Sequence, residues 1–183
     1  DEREDLETLK QTTINLIQAL VQQGVLPADK ADALVKQAEA KAKAEAVSVE
    51  GLVLGCDSAL WFEGEMLGKP HHPEVAIARW QKMRGKTGVL CSGHWLIDGT
   101  TGDAAGKVTE TTVKFADLTD DQIHRYVATG EPLQVAGAFT IDGIGGAFVE
   151  RIEGDYHTVV GLSLVALREL VTDLGHDYQS LWR

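Results

Sequence analysis

The stretch that most constrains this chain runs from Leu52 to Pro70. An apolar run, Leu52-Val53-Leu54, meets Gly55-Cys56-Asp57-Ser58, and Gly68-Lys69-Pro70 closes the stretch. β-formers ahead of Gly-X-Asp-Ser predict a buried strand whose end delivers the Asp57 carboxylate to a cleft. Between Asp57 and Lys69 lie two short apolar runs around Glu63-Gly64-Glu65. They read as a hairpin that folds Lys69 back toward Asp57.

Upstream the pattern changes. Residues 1–48 hold one proline and one glycine and are rich in Ala, Leu, Gln, Lys and Glu. Leu6, Leu9, Thr13, Leu16, Ile17 and Leu20 recur at helical spacing, and Gly24 stops that helix. A second helix opens at Pro27-Ala28-Asp29 and runs to about Ala46. The two form a hairpin for packing or oligomerisation. Lys36, Lys41 and Lys43 lie toward the end of the second helix, where lysines either complement the helix dipole or face a site.

Downstream, Pro73–Met83 is predicted as an amphipathic helix with proline at its first position. Val89–Asp98 and Val108–Phe115 read as strands joined as an antiparallel hairpin. Thr119 caps a helix, with Gln122 completing a capping box. Glycines at 137, 143, 145 and 146 mark a tight loop. A strand over 148–152 and a helix from Leu164 to about Leu174 follow. The expected class is α/β, a mixed twisted sheet with flanking helices, antiparallel pairs and a parallel opening unit. The expected division is a helical hairpin over residues 1–35 and one domain over 36–183.

The net charge of −11 argues against binding nucleic acid through its phosphates. Two cysteines among 183 residues make no disulfide scaffold and suit a reducing cytosol. His71-His72 lacks the spacing of a zinc site. No apolar run is long enough to span a membrane. The opening Asp-Glu-Arg-Glu-Asp has the wrong charge for a signal peptide, and the absence of an initial Met suggests a fragment.

Gly143-Ile144-Gly145-Gly146 lacks the Gly-Lys-Ser/Thr ending of a phosphate loop and the setting of a dinucleotide fingerprint. Ser92-Gly93-His94 lacks a nucleophile elbow. Cys56, beside Asp57, is a poor thiolate. What remains is a strand-end carboxylate and lysines that could converge on it. Such a set suits phosphoanhydride hydrolysis: the carboxylate binds a divalent metal or takes a proton from water, and lysines neutralise phosphoryl charge. A turn or capping aspartate fits Asp57 equally well.

The whole string resembles the Maf family. The segments that carry the resemblance are Lys43-Ala44-Glu45-Ala46-Val47, Gly55-Cys56-Asp57-Ser58 and Glu63–Pro70. Further on come Glu110–Phe115, Ala128–Pro132, Ala136–Phe139, Gly143–Gly146 and Glu150–Tyr156. They occur in the family's order over about residues 43–174, with an actinobacterial flavour in Gly-Cys-Asp-Ser and Ser180-Leu181-Trp182. The resemblance implies a nucleoside triphosphate pyrophosphatase that uses Mg²⁺ or Mn²⁺ and acts on modified or non-canonical nucleotides. It also implies a house-cleaning role linked to septum formation, a cytoplasmic homodimer, and a two-lobed fold similar to the inosine triphosphate pyrophosphatases, with a cleft between the lobes.

Carried over residue by residue, the resemblance makes Asp57 the proton acceptor and a metal ligand. It makes Lys43 and Lys69 the phosphate-binding lysines and places Ser58 at the substrate. Asp142 stands near a position where relatives often carry Gln, which implies altered contacts to base or sugar. Asp1-Glu2 matches the end of the family's Val-Asp-Glu segment, which implies Glu2 as a metal ligand. The family's opening Ser-X-Ser-Pro-Arg-Arg is absent from these residues, and the hairpin of residues 1–35 is atypical for the family. Two expectations follow: a pyrophosphatase with a weakened phosphate grip, or a nucleotide-binding regulator without turnover.

Overall fold

A computed structural model describes residues 2–182; the side chains of residues 2–7, 9–11, 14 and 29 fall outside that description. Two helices open the chain, α1 (Glu2–Gln22) and α2 (Ala28–Glu45), joined by a turn at Gly24. Then come β1 (Leu52–Phe62), β2 (Glu65–Leu67), α3 (Pro73–Met83), β3 (Thr87–Asp98) and β4 (Ala104–Phe115). The remainder is α4 (Asp120–Ala128), β5 (Val149–Glu153), α5 (Tyr156–Val160) and α6 (Leu164–Asp173), with short 3-10 turns between α4 and β5. The strands lie in the order β2-β1-β3-β4-β5. No helix among the described residues is long and apolar enough to cross a membrane.

The mixed α/β class is as expected, but the opening unit is not parallel. Gly99 N–H donates to Gly51 O at the start of β1, while Gly88 at the start of β3 packs on Leu60 and Trp61 near its end. β3 therefore runs antiparallel to β1. A parallel pair needs a crossover that returns the chain to the strand's starting end. Here β1 reverses into β2, and α3 brings the chain back to the end it left. The hairpin pairs Leu60 with Leu67, Trp61 with Met66 and Phe62 with Glu65. Its two-residue turn, Glu63-Gly64, has positive φ at both positions (47° and 91°), which matches strand twist. Thr119 and Gln122 form the expected capping box of α4.

The chain groups into two compact units. One holds residues 1–57, 92–108 and 164–183; the other holds 58–91 and 109–163. A boundary at residue 35 would fall inside α2. In the first unit, Leu96, Leu170 and Val171 are buried with Leu52, Leu54 and Leu167 against them. In the second, Trp80 is fully buried and meets Phe115, Tyr126 and Phe148 edge-on at 5.6, 5.7 and 6.1 Å. Its indole N–H donates to Ala138 O at 2.7 Å, so the largest core side chain leaves no polar atom unpaired.

Candidate functional site

The first unit brings α2 against β1 and β3 at backbone contact. A Cβ on Gly55 would stand 2.0 Å from Ala40 O, and one on Gly93 would stand 2.3 Å from Lys36 O. Ala40 and Ala44 on the facing side of α2 are fully buried. Only glycine on the strands and alanine on the helix permit so close an approach. Gly55 was expected at a strand end, but β1 continues past it. It is the seat of the helix, and Asp57 lies mid-strand, two residues on.

This approach sets the charges. Lys36, Glu39 and Lys43 follow one another at i, i+3 and i+7, one face of α2. Lys36 Nζ donates to Asp57 Oδ2 at 2.8 Å and to Glu39 Oε2 at 2.5 Å. Lys43 Nζ donates to Asp57 Oδ1 and, at 3.0 Å, to Cys56 O. The Lys36, Glu39 and Asp57 side chains are 11, 17 and 19% exposed, whereas Lys43 is 55% exposed. One ammonium is thus built in and the other faces solvent.

Burial pushes the Asp57 carboxyl up, but hydrogen bonds with Glu39, Lys36 and Lys43 outweigh it and hold the group at about 2. Burial and the bond to Asp57 raise Glu39, against the pull of Lys36. Burial alone would lower Lys36, yet its two carboxylate partners raise it. Burial pushes the Cys56 thiol up to about 11, with Lys43 opposing and Asp57 adding. That excludes Cys56 as a thiolate near neutral pH, for reasons of desolvation first and neighbouring charge second.

Asp57 and Lys43 therefore meet, as expected of both. Lys36 and Glu39 join them, and Lys41 does not: its Nζ lies 5.2 Å over the Trp95 ring. Helical spacing from Lys43 could have singled out Lys36 and set Lys41 aside. It could not have identified Glu39 without knowing which face of α2 meets β1.

The other expected residues lie in the second unit. Ser58 packs beside Gly161, where a Cβ would stand 3.9 Å from its Oγ. Lys69 is exposed on a tethered loop. Gly68 O just before it accepts from Arg79 Nη1 at 2.6 Å and from Gly137 N–H at 3.2 Å, and His71 N–H just after it donates to Leu133 O at 2.9 Å. Asp142 is exposed on the glycine loop. That loop is gripped by Glu131, a residue the sequence did not single out. Glu131 Oε1 accepts from Thr140 Oγ1 at 2.6 Å, Gly145 N–H at 2.8 Å and Tyr126 OH at 2.9 Å, and Oε2 accepts from Ile144 N–H at 2.8 Å. Burial raises Glu131, but these donors hold it at about 2. The side chain of Glu2 lies outside the described residues.

Known proteins align with most of this chain. The family described as "Maf-like protein" matches residues 3–174, a span that takes in both N-terminal helices. A protein of Salinispora tropica named nucleoside triphosphate pyrophosphatase is 52% identical over 170 residues, covering 88% of this chain and 75% of the relative. One of the same name from Leifsonia xyli is 52% identical over 161 residues, covering 82% of this chain and 74% of the relative. A Bifidobacterium longum protein, named a nucleoside triphosphate pyrophosphatase/Nudix hydrolase fusion, is 48% identical over 135 residues, covering 74% of this chain and 28% of the relative.

Proposed function

The chain belongs to the Maf-like family, and from that premise we propose that it is a nucleoside triphosphate pyrophosphatase, a hydrolase of phosphoanhydride bonds. Its reaction takes a nucleoside triphosphate and water to nucleoside monophosphate and pyrophosphate. The observation that carries the reading is the meeting of Asp57 with Lys43. The resemblance assigns both residues to the site, and their ion pair, within a cluster that also holds Lys36 and Glu39, supports that reading.

The roles follow from the groups themselves. Water attacks the α-phosphorus, and a carboxylate oxygen of Asp57 receives the proton. A base works best with a pKa near the operating pH, and Asp57 at about 2 is far below it. Transfer of the exposed Lys43 ammonium from Asp57 to phosphate oxygens acts on both ends. It neutralises phosphoryl charge, and it removes one of the bonds that keep Asp57 weakly basic. Lys69 is assigned to phosphate, and Ser58 and Asp142 to substrate, on the resemblance alone; so is Glu2 as a second metal ligand.

Nucleoside triphosphate pyrophosphatases generally use a divalent metal. Among the described residues no three His, Cys, Asp or Glu side chains gather as a metal site, but Asp57, with Glu39 beside it, offers the hard carboxylate oxygens by which Mg²⁺ or Mn²⁺ is held together with substrate phosphates. Mg²⁺ or Mn²⁺ at Asp57 would supply charge neutralisation at the phosphoryl oxygens. A homodimer acting in the cytoplasm completes the reading.

Nucleotide binding without turnover is the second reading, favoured by the two ammonium groups that occupy both carboxylate oxygens of Asp57. Pyrophosphate release from normal and modified nucleoside triphosphates, with Mg²⁺ or Mn²⁺, separates the two. Metal-dependent turnover that Asp57→Asn abolishes supports the enzyme. Binding with no turnover on any substrate supports the second reading.

A further inference from the structure

Asp57 carries a cation that its proposed chemistry does not use. Lys36 sits on its Oδ2 at 2.8 Å, and the ammonium is shared with Glu39 Oε2 at 2.5 Å. The Lys36 side chain is only 11% exposed, so it is poorly placed to reach out to a substrate. Its backbone is fixed too, because Lys36 O rests on Gly93 of β3. An exposed surface pair would be weak and interchangeable. This one is half-enclosed and locked at its base.

We propose that Lys36 is the resident counter-cation of Asp57, occupying the carboxylate oxygen that a divalent metal needs, and that Glu39 is the group that keeps Lys36 when metal takes its place. The inference rests on the reading of Asp57 as a metal ligand. Lys43 holds Oδ1 from the solvent side and can swing away, whereas the built-in Lys36 holds Oδ2, and a divalent metal placed there meets strong repulsion in a partly enclosed site. Metal binding therefore includes release of Lys36 from Oδ2. Because Glu39 already accepts the same ammonium, release leaves it paired rather than stranded. Without metal, Lys36 keeps two neighbouring carboxylates from facing each other uncompensated. Lys36 is thus a positioning residue: it acts through Asp57, whose Oδ2 it holds, and sets the metal affinity of that carboxylate.

The test is Mn²⁺ binding to the nucleotide-free chain, read from the free-Mn²⁺ electron paramagnetic resonance signal, for wild type, Lys36→Met, Lys36→Arg and Asp57→Asn. Lys36→Met is expected to bind Mn²⁺ about tenfold more tightly than wild type, since the competing charge is gone. Lys36→Arg, which keeps the charge, is expected to bind no more tightly than wild type. Asp57→Asn is expected to lose the site. Lys36→Gln tests the same direction should Lys36→Met fail to fold, because its amide can still donate to Glu39. If Asp57→Asn loses Mn²⁺ while neither neutral Lys36 variant binds it more tightly, the counter-cation role is overturned and the metal site stands. If Asp57→Asn binds Mn²⁺ like wild type, Asp57 is no metal ligand and both readings fall.

Discussion

Asp57 in the first unit and Glu131 in the second are both carboxylates held at about 2, and they are held there by different partners. Two ammonium groups and a neighbouring carboxyl hold Asp57. Glu131 is held by two backbone N–H groups, a threonine and a tyrosine hydroxyl. An ammonium group can leave for a phosphate, and the carboxylate it leaves behind becomes a stronger base; it can also yield its place to a metal. Backbone donors cannot leave without unfolding the loop. A low pKa therefore does not distinguish a site from a clamp; the mobility and charge of the partners do.

The largest expected effect tests the site half of that contrast. Asp57→Asn is isosteric and removes only charge and proton acceptance. Turnover is expected to fall about 10³-fold, within the usual contribution of a general base. A fall of less than about tenfold in pyrophosphate release would make Asp57 a clamp like Glu131. Next comes the clamp itself. Glu131→Ala leaves four donors without their acceptor, and a loss of about 3 kcal/mol in urea unfolding is expected. A loss below about 0.5 kcal/mol would show that water replaces Glu131 and that the loop needs no anchor.

A third variant reaches the Asp57 cluster through packing. Gly55→Ala places a methyl 2.0 Å from Ala40 O, so α2 must move off β1. Destabilisation of about 1–3 kcal/mol is expected, with turnover falling as Lys36 and Lys43 draw away from Asp57. Wild-type stability and turnover in Gly55→Ala would mean the helix does not depend on that contact. The smallest effect is in acid. Both carboxylates sit below their ordinary values of 3.8 and 4.5. Each therefore stabilises the fold above its ordinary pKa and loses that contribution as pH falls toward about 2. Unfolding midpoints are expected to drop across that window, and Glu131→Gln to flatten the drop. An unchanged slope in that variant would exclude Glu131 as a contributor.

Short-range rules made much of this legible beforehand. Helical spacing and the Gly24 stop marked α1 and α2, and Thr119 with Gln122 marked the start of α4. The Glu63-Gly64 turn marked the hairpin, and the ordered segments from Lys43 to Tyr156 marked the family. The caps, stops and turn depend on residues within a few positions of one another, and the family on the order of segments along the chain, so the sequence alone settles them. The direction of β3 is not legible locally: a helix between two strands suits a crossover, but the β1–β2 hairpin decides from which end the chain re-enters the sheet.

The rest was settled by the tertiary structure. That Asp57 meets Lys43 was expected from the resemblance. That it also meets Lys36 and Glu39 follows from α2 lying on Gly55 and Gly93 at backbone contact, with one face turned to β1. Glu131 gathers its donors from α4 and the glycine loop in the same way. Residue types determined which charges the chain possesses. Which charges face each other depends on how closely a helix can approach a strand, and that distance is a property of both surfaces together.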